Sequence, residues 1–321
     1  MRGIHWLKIV TKDCKYNLTL RRNITVVRGD SGTGKSSIVK HVRRYLESNG
    51  DCNITLESDC NVVVLSGDFE LDSYKLSKTN NSIILIDEGV RYLGSNEFKH
   101  CVEDSSNYFV LITRCNLSNL PFSYKEIYSL VTRKNNGEFI TENRELFENH
   151  VTSSVKMDCI LTEDSNSGRD MLKEIFGSKV DSSFDGGNSS LLTSIRKHCD
   201  RGLSVLAIAD GAAFGNYIGD ILSYIEYSNV PCVLWLPESF EYVLLLSGIV
   251  HRNDIPKILD EPYNYIYSEE FISWERYFTH LVEEISSASG HHYNKHSLNK
   301  RYKTSGNIIK FINAMPKEIR P

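Results

Sequence analysis

Several absences narrow what this 321-residue chain can be. No apolar run approaches the ~20 residues that a helix needs to cross a bilayer, which excludes spanning helices. The first residues lack the apolar core of a signal peptide. The eight cysteines are scattered, with no C-x-x-C pair and no Cys/His spacing that suits a zinc motif. Cys14, Cys159 and Cys232 lie in or beside apolar runs, where a thiol behaves as a small hydrophobe. A reducing, cytoplasmic setting is therefore expected, with no membrane partner.

What is present is ordinary in bulk and uneven in detail. A hydrophobic fraction of 40% and a charged fraction of 24% suit globular domains, and the length allows two of them. The net charge of −4 hides a nearly neutral segment 1–150, a segment 151–289 near −11, and a tail near +6. The tail's charge comes from Lys295, Lys300, Arg301, Lys303, Lys310, Lys317 and Arg320. It reads as a nucleic-acid contact, as a solvated helix face or as an intramolecular partner for the acidic segment. Tyr293 and Tyr302 among the lysines add aromatic character that favours the first, and His291-His292 with His296 reads as a solvated turn.

The chain is organised around Ile24-Thr-Val-Val-Arg28-Gly29-Asp30-Ser31-Gly32-Thr33-Gly34-Lys35-Ser36-Ser37. It fits the phosphate-binding pattern G-x-x-x-x-G-K-[ST]. Ile24 to Val27 is a β-branched run that reads as a buried strand leading into the loop. Gly29, Gly32 and Gly34 permit the positive-φ backbone that turns successive N–H groups toward phosphate oxygens. From Ser36 on, apolar residues recur at helical spacing, so a helix N-terminus faces the same anion. Lys35 is expected at the β- and γ-phosphates, and the Ser36 hydroxyl on Mg²⁺. The expected ligands are thus ATP and Mg²⁺, with the loop from Gly29 through Asp30, Ser31, Gly32, Thr33, Gly34, Lys35, Ser36 and Ser37 as the nucleotide site.

Around this loop, Ile4–Val10 and Tyr16–Leu20 read as strands, as does Asn61–Leu65 after the first helix. Ser82-Ile-Ile-Leu-Ile-Asp87-Glu88 is the second decisive stretch: a buried parallel strand that presents two acids at its end. Asp87 is expected to hold Mg²⁺ and Glu88 to orient or deprotonate water. A helix over Gly89–Cys101 leads to the strand Tyr108–Ile112, followed by Thr113 and Arg114. Ile127–Val131 reads as the last strand, and Gly137–Asn149 as polar and turn-rich. This half resembles the additional-strand, catalytic-glutamate branch of P-loop ATPases, which includes AAA+, RecA-like and ABC-type proteins. That resemblance makes Thr113 the residue that senses the γ-phosphate, with Arg114 a second candidate. An LSGGQ-like signature and room for a helical lid are both missing.

The second half alternates strand and helix, which implies another parallel sheet. The strand Asp158–Thr162 ends at Glu163, a helix spans Ser167–Phe176, and Ser204–Ala209 ends at Asp210. A helix over Asn216–Tyr227 follows, then a strand over Val230–Pro237 and a helix bearing Glu241. Acids at the carboxyl ends of three strands gather where open α/β sheets place their sites. The arrangement resembles the TOPRIM domain of topoisomerases, primases and OLD-family nucleases, and the domain order is that of OLD proteins. By resemblance, Glu163 and Asp210 bind Mg²⁺ for phosphodiester chemistry. The sequence departs from that family where Asp-x-Asp is expected, because Gly211-Ala212 follows Asp210; Asp164 or Asp220 would have to substitute. The competing reading is a Rossmann-like domain that only binds a partner.

The fold expected is therefore α/β: a P-loop parallel sheet with flanking helices over 1–150, a smaller TOPRIM- or Rossmann-like domain over 151–255, and a helical extension with a basic tail over 256–321. Phe271, Trp274, Phe278, Leu281 and Ile285 mark an amphipathic helix in that extension. The expected function is Mg²⁺-dependent ATP hydrolysis governing the second domain, either a nuclease on DNA or RNA or an inactive partner-binding domain. Homo-oligomers are admitted.

Overall fold

The computed structural model describes residues 1–29, 32–114, 117–135, 138–147, 156–288 and 292–321. Two compact units emerge. The first joins Met1–Glu148 to Glu261–Ile272, and the second joins Asn149–Asp260 to Ser273–Pro321. The fold is mixed α/β, with a large, mostly parallel sheet and helices.

In the first unit the elements run β1 (His5–Val10), β2 (Cys14–Leu20), β3 (Ile24–Val27), α1 (Lys35–Glu47), β4 (Thr55–Ser58), β5 (Asn61–Val64), α2 (Phe69–Ser77), β6 (Ser82–Ile86), α3 (Asn96–Glu103), β7 (Tyr108–Ile112), β8 (Ile127–Asn135) and β9 (Glu138–Glu145). Among the described residues these strands form one nine-stranded sheet in the order β4-β1-β2-β9-β8-β3-β7-β6-β5. Strands β3, β7, β6 and β5 are mutually parallel. β3, β6 and β7 are buried along their whole length, as expected of parallel strands covered on both faces. Each large aliphatic side chain buried there contributes about 1.5–3 kcal/mol. β2 instead alternates between buried and half-buried positions, the pattern of a strand with one face to the core.

Ile127–Val131 is not the last strand. β8 pairs with β3 on one side and β9 on the other, and β9 also pairs in parallel with β2. β9 occupies a stretch expected to be turn-rich. Its sequence EFITENRE is polar because it is mostly exposed, and its order comes from ladder hydrogen bonds to two neighbours. The Asn-Gly pair at 136–137, outside the described residues, is the hairpin signal that would have revealed it. The helix expected over Gly89–Cys101 starts later, at Asn96, where the Ser95 side chain accepts from Phe98 N. Residues 261–272 also return to this unit: Gly3 N donates to Tyr263 O, and Asn23 Nδ2 to Ile272 O at 3.0 Å.

The second unit runs β10 (Cys159–Thr162), α4 (Ser167–Phe176), α5 (Asn188–Cys199), β11 (Val205–Ile208), α6 (Ile218–Tyr227), β12 (Cys232–Trp235), α7 (Phe240–Leu246), α8 (Ile255–Asp260), α9 (Trp274–Ala288) and α10 (Ser305–Ala314). Its described strands form a parallel sheet ordered β10-β11-β12. The segment 256–321, separated on sequence as an extension, is divided between the units. Residues 273–321 belong to the second, where Phe278, Leu281 and Phe311 are buried. Among the described residues no helix is long and apolar enough to cross a membrane.

Candidate functional site

Two sheet edges collect the residues singled out by sequence, one in each unit. In the first unit, β3, β7 and β6 end in register: Val27 is level with Ile112, and Leu111 with Ile86. The residues that follow, Arg28, Thr113 and Asp87, therefore leave the sheet along one edge. Gly29, Gly32 and Gly34 all adopt positive φ (131°, 85° and 87°). At Gly34 a side chain would be strained by φ and would also come within 3.4 Å of the Tyr16 hydroxyl. Gly34 is the residue before α1, and no side chain caps that helix. Its first turn has no acid to compete with an anion.

Lys35 is buried, and its Nζ donates to Gly29 O at 2.8 Å and Thr33 Oγ1 at 3.1 Å, which folds the side chain back over the loop. Gly32, Gly34, Lys35, Ser36, Ser37, Glu88 and Arg114 line one cavity. Glu88 and Arg114 form an ion pair across it, Oε1 to Nε at 3.0 Å. With both side chains more than a third exposed, that pair is worth well under ~1 kcal/mol of stability. Asp87 Oδ1 accepts from Glu88 N at 2.8 Å, leaving its second oxygen for another partner. Thr113 is buried at the end of β7. Asp30 and Ser31 lie outside the described residues.

The second edge is acidic. Glu163 follows β10 directly, and its N–H donates to Ile208 O at 2.8 Å, so the ladder positions it. Asp210 stands two residues beyond β11 and accepts from Phe240 N at 3.2 Å. Glu241 lies in the first turn of α7, fully buried, with Oε1 accepting from Tyr293 Oη at 2.7 Å and Oε2 left without a partner. These acids feel one another. Burial, then the charges of Glu275 and Asp164, push Glu163 up to about 7. Burial, then Glu275, Glu163 and Glu241, raise Asp210 well above its ordinary value. Burial also raises Glu241.

Sequence reasoning missed Glu275 and Lys295, which meet at 2.9 Å. Burial acts to lower the Lys295 ammonium, yet Glu275, Glu241 and Asp210 hold it above its ordinary value. No local signal marks either residue. Glu275 is half-buried on α9, in line with the buried Phe278 and Val282, and Lys295 lies among the basic residues of the tail. Of the two proposed substitutes for the absent second aspartate, Asp164 is already engaged. Asp164 accepts from Asn166 N and Gly168 N, both at 2.7 Å, at the start of α4, and Asp220 is exposed on α6.

The donors at this edge are all oxygen, which suits a hard cation such as Mg²⁺, and the unpartnered Glu241 Oε2 gives such a cation a reason to bind. Their spacing suits it less. The groups of described residues whose ligand atoms all lie within 4.8 Å of one another are two others, His5 with Asp59 and Cys60, and Cys159 with Asp181 and His198. The basic tail is partly used internally: Lys295 pairs with Glu275, Lys303 with Glu174 at 3.3 Å, and Arg320 donates to Asn313 O and Met315 O.

The chain matches no protein-family model, no curated protein and no solved structure.

Proposed function

We propose that this protein is an Mg²⁺-dependent ATPase whose nucleotide cycle governs its second unit. One observation carries the reading: an uncapped helix N-terminus, a buried lysine, a glutamate and an arginine surround one cavity at the carboxyl edge of parallel strands. A helix N-terminus and a lysine suit an anion, and the nearby carboxylates suit hydrolysis rather than mere binding. The position of β7 between β3 and β6 supports the additional-strand class of P-loop ATPases. In this reading Gly32 through Ser37 hold the phosphates, Lys35 neutralises them, and Thr113 senses the terminal phosphate. Ser36 and Asp87 supply the hydroxyl and carboxylate oxygens that suit Mg²⁺, which when bound offsets charge developing on the phosphates. Glu88 accepts the proton of the attacking water.

The second unit is read as an OLD-like, metal-dependent nuclease for DNA or RNA, on the strength of the Glu163, Asp210 and Glu241 edge with its unpartnered oxygen. The spread of those oxygens favours the alternative, a partner-binding domain without cleavage. Two measurements test the pair of readings. ATP hydrolysis by the full chain should require Mg²⁺ and be absent in EDTA; hydrolysis that persists in EDTA rejects the first. Plasmid nicking that needs Mg²⁺ or Mn²⁺ and disappears in Asp210→Asn supports the nuclease, and its absence in wild type leaves the binding domain.

A further inference from the structure

At the other end of the small sheet lies a side-chain cluster with a different chemistry. Cys159 opens β10, Asp181 follows the bridge between Val180 and Ile160, and His198 belongs to the last turn of α5. One sulfur, one nitrogen and one oxygen from these three residues lie within 4.8 Å of one another. Cys159 and His198 are buried. Each residue is held independently of the others. Cys159 N donates to Ser204 O and Asp181 N to Ile160 O, both at 3.0 Å. Asp181 Oδ1 accepts from Ser183 N at 2.8 Å and Ser183 Oγ at 2.7 Å, so Oδ2 is the oxygen turned to His198.

The histidine supplies the geometric argument. Its Nδ1 lies 2.9 Å from the Ser194 carbonyl oxygen, which can only accept, so Nδ1 carries a proton. Its Nε2 then faces Asp181 Oδ2 at 3.2 Å. An unprotonated Nε2 and a carboxylate oxygen repel each other at that distance, and either a proton or a metal ion held by both removes the repulsion. An N–H donor to a backbone carbonyl on the far side of the ring is also how metal-bound histidines are oriented. Metal–ligand bonds of about 2.0–2.1 Å in a tetrahedron place neighbouring N and O ligands about 3.3 Å apart, which agrees with this pair. In the other cluster His5 Nδ1 and Asp59 Oδ2 are 2.8 Å apart, the length of a direct hydrogen bond.

We propose that Cys159, Asp181 and His198 form a zinc site, with solvent as the fourth ligand. The mixed sulfur, nitrogen and oxygen set suits a borderline-soft ion and not Mg²⁺. On binding, the Cys159 thiol and any proton on His198 Nε2 pass to solvent, while Asp181 is already anionic. The ion ties β10, the segment before α5 and the end of α5 together. It is chemically distinct from the carboxylate edge and does not rest on the ATPase or nuclease reading.

The test uses the full, tag-free chain, stripped with EDTA, desalted and loaded with Zn²⁺ or Co²⁺. Wild type should retain about one zinc per chain by atomic emission. Its Co²⁺ form should show the thiolate-to-metal charge-transfer band, which the all-oxygen carboxylate edge cannot produce. Cys159→Ser and His198→Gln should lose the band and the zinc, and Cys60→Ser should keep both. Circular dichroism checks folding; if Cys159→Ser unfolds, Asp181→Asn, which preserves shape and the Ser183 hydrogen bonds, replaces it. Wild type without the thiolate band overturns the site, as does a band that survives in Cys159→Ser, zinc held by Asp181→Asn as tightly as by wild type, or a band that vanishes in Cys60→Ser.

Discussion

The two sheet edges solve opposite electrostatic problems. The first collects positive character, from the N-terminus of α1 and the Lys35 ammonium, the features on which an anion site is proposed. The second collects carboxylates, whose burial and then mutual repulsion raise Glu163 and Asp210 and call for a cation. The first can be built from one short stretch, because backbone amides come with every residue and glycine lets them converge. The second needs side chains from β10, β11, α7 and α9, more than a hundred residues apart in sequence. An anion site of this type is therefore written as a contiguous motif, whereas a cation site is dispersed.

Breaking the first edge should have the largest effect. Glu88→Gln should leave ATP affinity unchanged and slow hydrolysis by ~10²-fold or more, as loss of a general base does. Lys35→Ala should do the reverse at the binding step, weakening ATP by about tenfold or more through loss of a charge-assisted contact. Equilibrium binding and steady-state turnover, measured on both variants, separate these outcomes; parental turnover in Glu88→Gln would remove that residue from the mechanism. Arg114→Ala should reduce turnover by about tenfold while shifting stability by less than ~0.5 kcal/mol. A large loss of stability with unchanged turnover would reduce Arg114 to a structural ion pair.

The second edge is sharpened by metal and pH. Glu163 has a folded pKa of about 7 against an ordinary value of 4.5. Its contribution to stability is thus complete below pH 4.5 and is lost as pH rises through 7, the opposite of a salt-bridged acid. In an Asp87→Asn background, which removes the carboxylate that the first edge offers to Mg²⁺, Mg²⁺ or Mn²⁺ should raise Tm at pH 8 by about 3 °C. Glu163→Gln and Asp210→Asn should each abolish that gain while matching or exceeding the metal-free Tm of the parent. Identical melting with and without metal would mean that the acids bind no cation.

The smallest effect is expected at the tail. Reversing Lys300, Arg301 and Lys303 should lower nucleic-acid affinity by about tenfold or less and flatten its salt dependence by roughly two to three counterions. Because Lys303 already pairs with Glu174, its share should be the least. An unchanged salt slope in filter binding would confine the tail to intramolecular contacts.

The sequence by itself determined the elements whose order is local. The glycine loop, the mostly apolar strands β3, β6 and β7, and the helix over Ser167–Phe176 were legible because backbone conformation and hydrophobic period are encoded residue by residue. So were the positions of Asp87, Glu163 and Asp210 at strand ends. Tertiary structure decided the rest. β9 is a strand because β8 and β2 complete its hydrogen bonds, not because of its own hydrophobicity. Residues 261–272 join the first unit through backbone contacts such as Ser268 N to Met1 O, which no composition could announce. Asp164 was drawn into starting α4, and Glu275 and Lys295 into the acidic edge, because Coulomb and hydrogen-bond energies act through space. Cys159, Asp181 and His198 have no motif spacing, and only the packing of α5 beside β10 brings their ligand atoms together.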